Sequence, residues 1–199
     1  MSVTLTTTLF ISSEYVKRTS VVDPNVDDKY IGTSIKRVQD IELMYLIGTG
    51  LLNEIDGQIS AGTLTQLNTT LLNAHLAPFI RAFSICYLLE YDDLKITNKG
   101  IVRKNSDNSV SADQIDITRQ INLYMAEAKF YAKRVELFLL QNITDYPLYI
   151  NAGNAIDTIF PMRVGYDAGI HFTRRNRYVP FIERLRYPGY YGIQNENYY

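Results

Sequence analysis

The chain has 199 residues, enough for one domain with a real hydrophobic core and room for an appended arm. Hydrophobic residues make up 46% and charged residues 21%, an ordinary globular balance that argues against global disorder. A formal net charge of -1 argues against nucleic-acid binding through bulk electrostatics.

The charge is unevenly placed. From His171 onward five arginines face only Glu183 and Glu196, a net of +3, which leaves -4 for the rest of a chain totalling -1. The sequence therefore reads as a basic arm on a mildly acidic body. Cys86 is the one cysteine, so no intrachain disulfide is expected, and its apolar surroundings suggest a buried, inert thiol. The first residues lack the basic and apolar regions of a signal peptide. No stretch approaches the roughly 18 apolar residues that cross a membrane. A chain made in the cytoplasm, with no membrane partner, is the expectation.

Residues 2–10 are rich in Thr, Val, Leu and Phe and predict an extended segment. Ser12 or Ser13 caps a short helix to about Arg18, and Asp23-Pro24-Asn25 forms a turn. Asp27 or Asp28 caps the next helix. Its face is read from Ile31, Ile35, Val38, Ile41 and Tyr45, spaced by four and three. Gly48 stops it, Gly48-Thr49-Gly50 is a turn, and a short amphipathic piece from Leu51 to Ile55 ends at Gly57 or Gly62.

Helix is predicted again from about 65 to 75 and from about 77 to 91, split or kinked by Pro78. Phe79, Ile80, Phe83, Ile85, Leu88 and Leu89 make the second of these apolar on several sides, as a central core helix must be. Lys95 to Lys104 suggests a short hairpin turning at Asn98-Lys99-Gly100, within an insertion at about 94–110. Ser111 then caps a long helix to about Asn142. Its seam is Ile117, Ile121, Tyr124, Ala128, Tyr131, Val135 and Phe138, with Arg119, Asn122, Lys129, Lys133 and Glu136 mostly opposite. Such a seam reads first as bundle core, although a wide stripe can also serve an interface.

Periodicity stops after Asp145. Residues 151–199 read as a C-terminal arm with little regular structure, apart from short strands between Phe160 and Phe172 and a helical turn from Pro180 to Arg186. The fold class is thus mainly α. It comprises a helical body over 1–150, a small β-hairpin insertion and an extended arm.

No catalytic constellation stands out. Two histidines, His75 and His171, and one cysteine are too few and too scattered for a zinc site. His75 reads as a helix-surface or satisfied core residue. There is no nucleophile elbow, P-loop or His-Glu-x-x-His motif, and Glu90, Asp92 and Asp93 suit a solvated helix end. No enzyme activity, metal or cofactor is expected. The candidate site is instead the arm, as a partner-binding surface: Arg174, Arg175, Arg177, Tyr178, Arg184, Arg186, Tyr187, Tyr190, Tyr191, Tyr198 and Tyr199. Arg and Tyr can track phosphates and stack on bases, which makes nucleic-acid binding one reading. Docking on protein is favoured, because the arm is rich in Tyr and Pro, has no lysine and follows an acidic body.

The order of elements carries a resemblance. Tyr30-Ile31, Ile35, Gln39-Asp40-Ile41, Leu46-Ile47-Gly48 and Leu51-Leu52-Asn53-Glu54-Ile55 resemble the opening helices of head-to-tail connector (adaptor) proteins of tailed bacteriophages. The Thr97 to Val102 hairpin, before a long helix with Ala126, Tyr131, Ala132 and Arg134, is similar to a branch in phages of Bacteroidetes, including crAss-like podoviruses. The resemblance covers roughly residues 12–150 and is one of order and spacing, not of a catalytic signature.

It implies a helical bundle repeated around a closed ring, a dodecamer, in the neck of the virion. Such a ring sits under the portal protein, extends the DNA channel without binding DNA specifically, and presents a platform to downstream tail or ring proteins. Connectors of this kind commonly grip the portal or a neighbouring subunit with a C-terminal arm. Truncation after Gly169 is accordingly expected to leave helical circular dichroism nearly unchanged while abolishing co-purification with portal. A truncated chain that still assembles would refute a docking role for the arm.

Overall fold

The structure is a computed structural model that describes residues 8–97, 100–103, 114–151 and 158–161. These residues belong to one compact unit running to Met162, and they are mainly helical. The eleven arginine and tyrosine residues assigned to the arm lie outside the described residues, as do Ser111 and the segment expected to hold short strands beyond Pro161.

Local sequence sets the helix starts. The Ser12 side chain accepts the Tyr15 amide at 3.0 Å and opens α1, Ser13–Thr19. Asp27 does the same for the Lys29 amide at 2.9 Å and opens α2, Asp28–Arg37. Helical structure then continues through a π turn, Val38–Leu43, into α3, Met44–Ala61. Ile31, Ile35, Gln39, Leu43, Ile47, Leu51 and Ile55 are all buried, every one four residues from the next.

A regular α-helix turns 100° per residue, so four residues overshoot a full turn by about 40°. Six such steps would carry the stripe away from the core. The wider π turn, with i to i+5 bonds, rewinds it. This corrects the expected face: Ile41 and Tyr45 are only half-buried, and Gln39, Glu42 and Leu43 are turned inward instead.

The expected turn at Gly48-Thr49-Gly50 is a single-residue kink. Gly48 has φ +81° and ψ 159°, and helix resumes directly after it. The helix ends at Gly62, φ +66°, where the amides of Gly62 and Thr63 donate back to Ile59 and Gln58, a glycine-terminated cap.

Pro78 does not split the helix. α4, Gln66–Leu71, passes through a second π turn, Leu72–Leu76, into α5, Ala77–Asp93. The proline has no amide and its ring crowds the carbonyl four residues back, so the turn widens. The Ala77 amide accordingly donates to Leu72, five residues earlier. The stretch Gln66–Tyr91 has the length and composition to cross a membrane, contrary to expectation, yet 72% of its most apolar window is buried within the protein. It is the core helix. α5 packs chiefly on α6, Gln114–Gln141, and next on α2. Phe79, Ile80, Phe83, Ile85, Cys86 and Tyr87 are buried between them. Each large apolar side chain buried this way contributes about 1.5–3 kcal/mol. Burial, with the nearby Glu90 and Glu127 carboxylates adding, pushes the Cys86 thiol up to about 12.

Between α5 and α6 the backbone of β1, Leu94–Thr97, pairs antiparallel with β2, Gly100–Arg103, with Leu94 opposite Arg103 and Thr97 opposite Gly100.

The inner seam of α6 also differs from expectation. Ile121, Ala128 and Val135 are buried, joined by Met125 and Leu139, while Tyr124, Tyr131 and Phe138 lie half-buried at its edge. Glu136, expected outside, is buried and accepts from Lys133 at 2.7 Å. After α6 comes α7, Pro147–Ile150, too short to show a period. Tyr146 at its start and Tyr149 within it are nevertheless buried, and the Tyr146 hydroxyl donates to the Leu67 carbonyl at 2.9 Å.

Gly48 provides a test of the kink. A Cβ there would sit 2.8 Å from Pro161 Cδ and 3.2 Å from the Ile159 carbonyl, at a φ that side chains resist. Gly48→Ala is expected to cost about 1–3 kcal/mol in denaturant unfolding. Gly57→Ala, where the added methyl meets nothing within 4 Å, should instead stabilise by about 0.5–1 kcal/mol.

Candidate functional site

Three local arrangements concentrate the polar and unpartnered groups. The first follows from the π turn at Val38–Leu43. Gln39 binds the extended N-terminal segment with both ends of its amide: Oε1 accepts the Phe10 amide at 3.0 Å and Nε2 donates to the Thr8 carbonyl at 3.2 Å. Glu42, 5% exposed, accepts the Tyr87 hydroxyl at 3.0 Å. The Arg37 guanidinium lies 4.5 Å above the Tyr87 ring and donates to the Tyr91 hydroxyl at 2.6 Å. Burial first, and then the Glu42 carboxylate, push the Tyr87 hydroxyl up, so Tyr87 remains a neutral donor. Burial also raises the Glu90 carboxyl, against the pull of Arg37. This carboxylate, phenol and guanidinium tie α2, the π turn and α5 together. Among the described residues no group of three His, Cys, Asp or Glu could hold a metal ion.

The second arrangement is a latch at the Gly48 kink. The Thr49 amide donates to the Ile159 carbonyl at 2.9 Å, and the Thr49 Oγ1 accepts the Ile159 amide at 2.9 Å. Pro161 is buried against Gly48. Residues 158–161, read from sequence as part of the arm, are thus pinned to α3 by a reciprocal pair of bonds. Glycine at 48 is what permits so close an approach.

The third is the outer face of α6. Leu123, Phe130 and Leu137, seven residues apart, are 64%, 61% and 47% exposed, and Leu140 continues their line. Arg119, Lys129 and Arg134 are exposed on this helix together with Asp116, and Lys133, also exposed, pairs with Glu136. On the α5 side, Arg81 pairs with Glu127 and donates to the Thr19 carbonyl at 3.2 Å, which fastens α1 and α6 to α5. Sequence reading noted one stripe on α6 and missed this second one. The seven-residue repeat of Leu123, Phe130 and Leu137 was the signal that could have found it.

Residues 43–159, more than half of the chain, match a family of unknown function (DUF6712), and the chain belongs to that family. No curated protein and no solved structure matches it. The matched segment begins at the end of the first π turn and closes on Ile159. It therefore contains both hydrogen-bonding partners of the latch, and it contains α6 whole.

His75 sits in the second π turn, stacked on the Phe138 ring at 4.0 Å, and its Nδ1 is buried without a hydrogen-bond partner. Half-buried, His75 stands between the helix-surface and the satisfied-core readings, with one ring nitrogen inward. Burial first, then Arg134, lower its pKa, so the fold favours the neutral ring. The unfolded chain takes up the proton first as pH falls below about 6.5. Stability is expected to drop from there toward the lower folded value and to be intact above it. In melts at pH 7 and pH 5, His75→Phe should lose less stability than the unsubstituted chain. An equal loss in both would refute the assignment.

Proposed function

We propose that this chain is a structural subunit of a tailed-phage virion. Twelve copies close into a ring below the portal, connect head to tail and extend the DNA channel. The ring presents its far side to downstream tail or ring proteins, and the subunit carries out no catalysis. The observation that carries this reading is the line of Leu123, Phe130 and Leu137 on the outside of α6, because a helix with one apolar face on its own core and another on its outside suits a repeated assembly. The order of helices that resembles phage connectors supports the same reading. The hairpin inserted before α6 and the tyrosine-arginine arm serve as contacts to neighbouring copies or to portal. An excess of negative charge before His171 suits a channel wall along which DNA must slide without being held.

Negative-stain imaging of the purified chain, alone and with portal, tests this. Closed rings are expected in at least the second sample. A chain that stays monomeric in both overturns the reading. Tight binding of single-stranded nucleic acid with a steep salt dependence would instead favour a nucleic-acid-binding protein acting through its arm.

A further inference from the structure

We infer that Gly48 is a two-position joint in α3 and that residues 158–161 are the clasp that holds it bent. When the clasp lets go, α3 runs straight. This device stands apart from the ring reading and can fail without it.

Gly48, at φ +81° and ψ 159°, occupies a backbone region essentially closed to other residues. The bend is one residue's rotation, with helix on both sides of it. It takes the Thr49 amide off its own helix and gives it the Ile159 carbonyl at 2.9 Å, while Thr49 Oγ1 accepts the Ile159 amide at 2.9 Å. In an uninterrupted α-helix the Thr49 amide would donate to the Tyr45 carbonyl, four residues back. Straightening thus replaces the backbone bond that release breaks. The Thr49 amide has an acceptor in both positions, and the Ile159 amide has Thr49 Oγ1 in the bent one.

The side-chain pattern suits both positions. Ile47, Leu51 and Ile55 are buried at spacings of four. Two such steps drift by about 80° on a straight helix, inside an apolar stripe roughly 100° wide. Nothing in the spacing across Gly48 calls for a bend. What holds it is the distant segment, with Pro161 buried against Gly48.

That hold is shallow. Thr158 and Ile159 are half-buried, and Phe160 is 55% exposed. Segments with so little burial open more readily than a core. By linkage, a partner that seizes residues 158–161 straightens α3, and one that grips the bent helix tightens the clasp. The arginines and tyrosines assigned to partner binding follow in the same stretch of sequence, from Arg174 onward.

Native-state hydrogen exchange on the full chain reads the joint directly. Corrected for intrinsic rates, the Ile159 amide should exchange at least tenfold faster than the Phe83 amide of the core. It should also exchange at least tenfold faster than the Thr49 amide, which passes to Tyr45 as the clasp opens. Thr49→Val removes the hydroxyl acceptor and keeps the backbone bond, and should speed Ile159 exchange a further tenfold. Spin labels at exposed positions on either side, Asp40→Cys and Gly57→Cys, should then report a second population. Its distance should be about 25 Å, the span of a straight helix between them. Cys86, fully buried, takes no label. Gly48→Ala should enrich the same population.

Exchange at Thr49 as fast as at Ile159 would mean that the segment frays while α3 stays bent. Exchange of both at the Phe83 rate would mean that the latch opens only with the whole fold. Either result overturns the joint, as does one unchanged label distance in Thr49→Val and Gly48→Ala alike. The exchange comparison needs no variant, so it decides the question even if Gly48→Ala does not fold.

Discussion

The architecture depends on keeping one side of a long helical run against the core. The buried positions from Ile31 to Ile55 recur every four residues, and an α-helix of 3.6 residues per turn cannot hold that period on one side. The π turn at Val38–Leu43 and the kink at Gly48 absorb the mismatch at two points. Both have consequences beyond winding. The π turn rotates Gln39 and Glu42 inward, where one secures the N-terminal segment and the other binds Tyr87. The kink frees the Thr49 amide from its own helix, and that amide then holds Ile159. A change of helical pitch thus creates the contacts that attach segments far apart in sequence.

α5 uses the same device for another reason. Pro78 forces a wide turn before it, so α4 and α5 run on together and the apolar stretch from Leu71 to Leu88 stays continuous. α5 packs against both α2 and α6. A helix sandwiched in this way must be apolar on more than one side, and its length and composition then mimic a membrane span. The mimicry follows from burial between layers. Arg81 and Arg37 sit where α5 meets its neighbours, and each finds a carboxylate, a carbonyl or an aromatic ring there.

Element type was largely legible in the sequence because caps and apolar spacing are local signals. Ser12, Asp27 and Gly62 do what such residues do at helix ends, and the apolar sides of α5 were plain. Register was less legible. Counting steps of four and three from Ile31 assumes a uniform helix, so the count misplaced Ile41 and Tyr45 once a π turn intervened. Glu136 was misplaced because charge suggested solvent, whereas Lys133, one turn away, allows it to be buried. Gly48 was seen as a breaker, but its φ depends on the approach of Ile159 and Pro161, more than 100 residues later, which no local pattern encodes. Tyr146 and Tyr149 lie in a piece too short for any period and bind the core through tertiary contacts alone.

α6 shows why one helix can be read two ways. Its inner line, Ile121, Met125, Ala128, Val135 and Leu139, is built of side chains that fill space against α5. Its outer line contains no small residue at the positions seven apart, but Leu, Phe and Leu. Single exposed apolar side chains are normal on any protein surface. Large ones repeated along one side of a helix form a patch instead, which invites cover. Cations beside that line disfavour contact with an identical face. The same pattern therefore limits unwanted self-pairing and leaves a surface of unlike charge as the favoured neighbour.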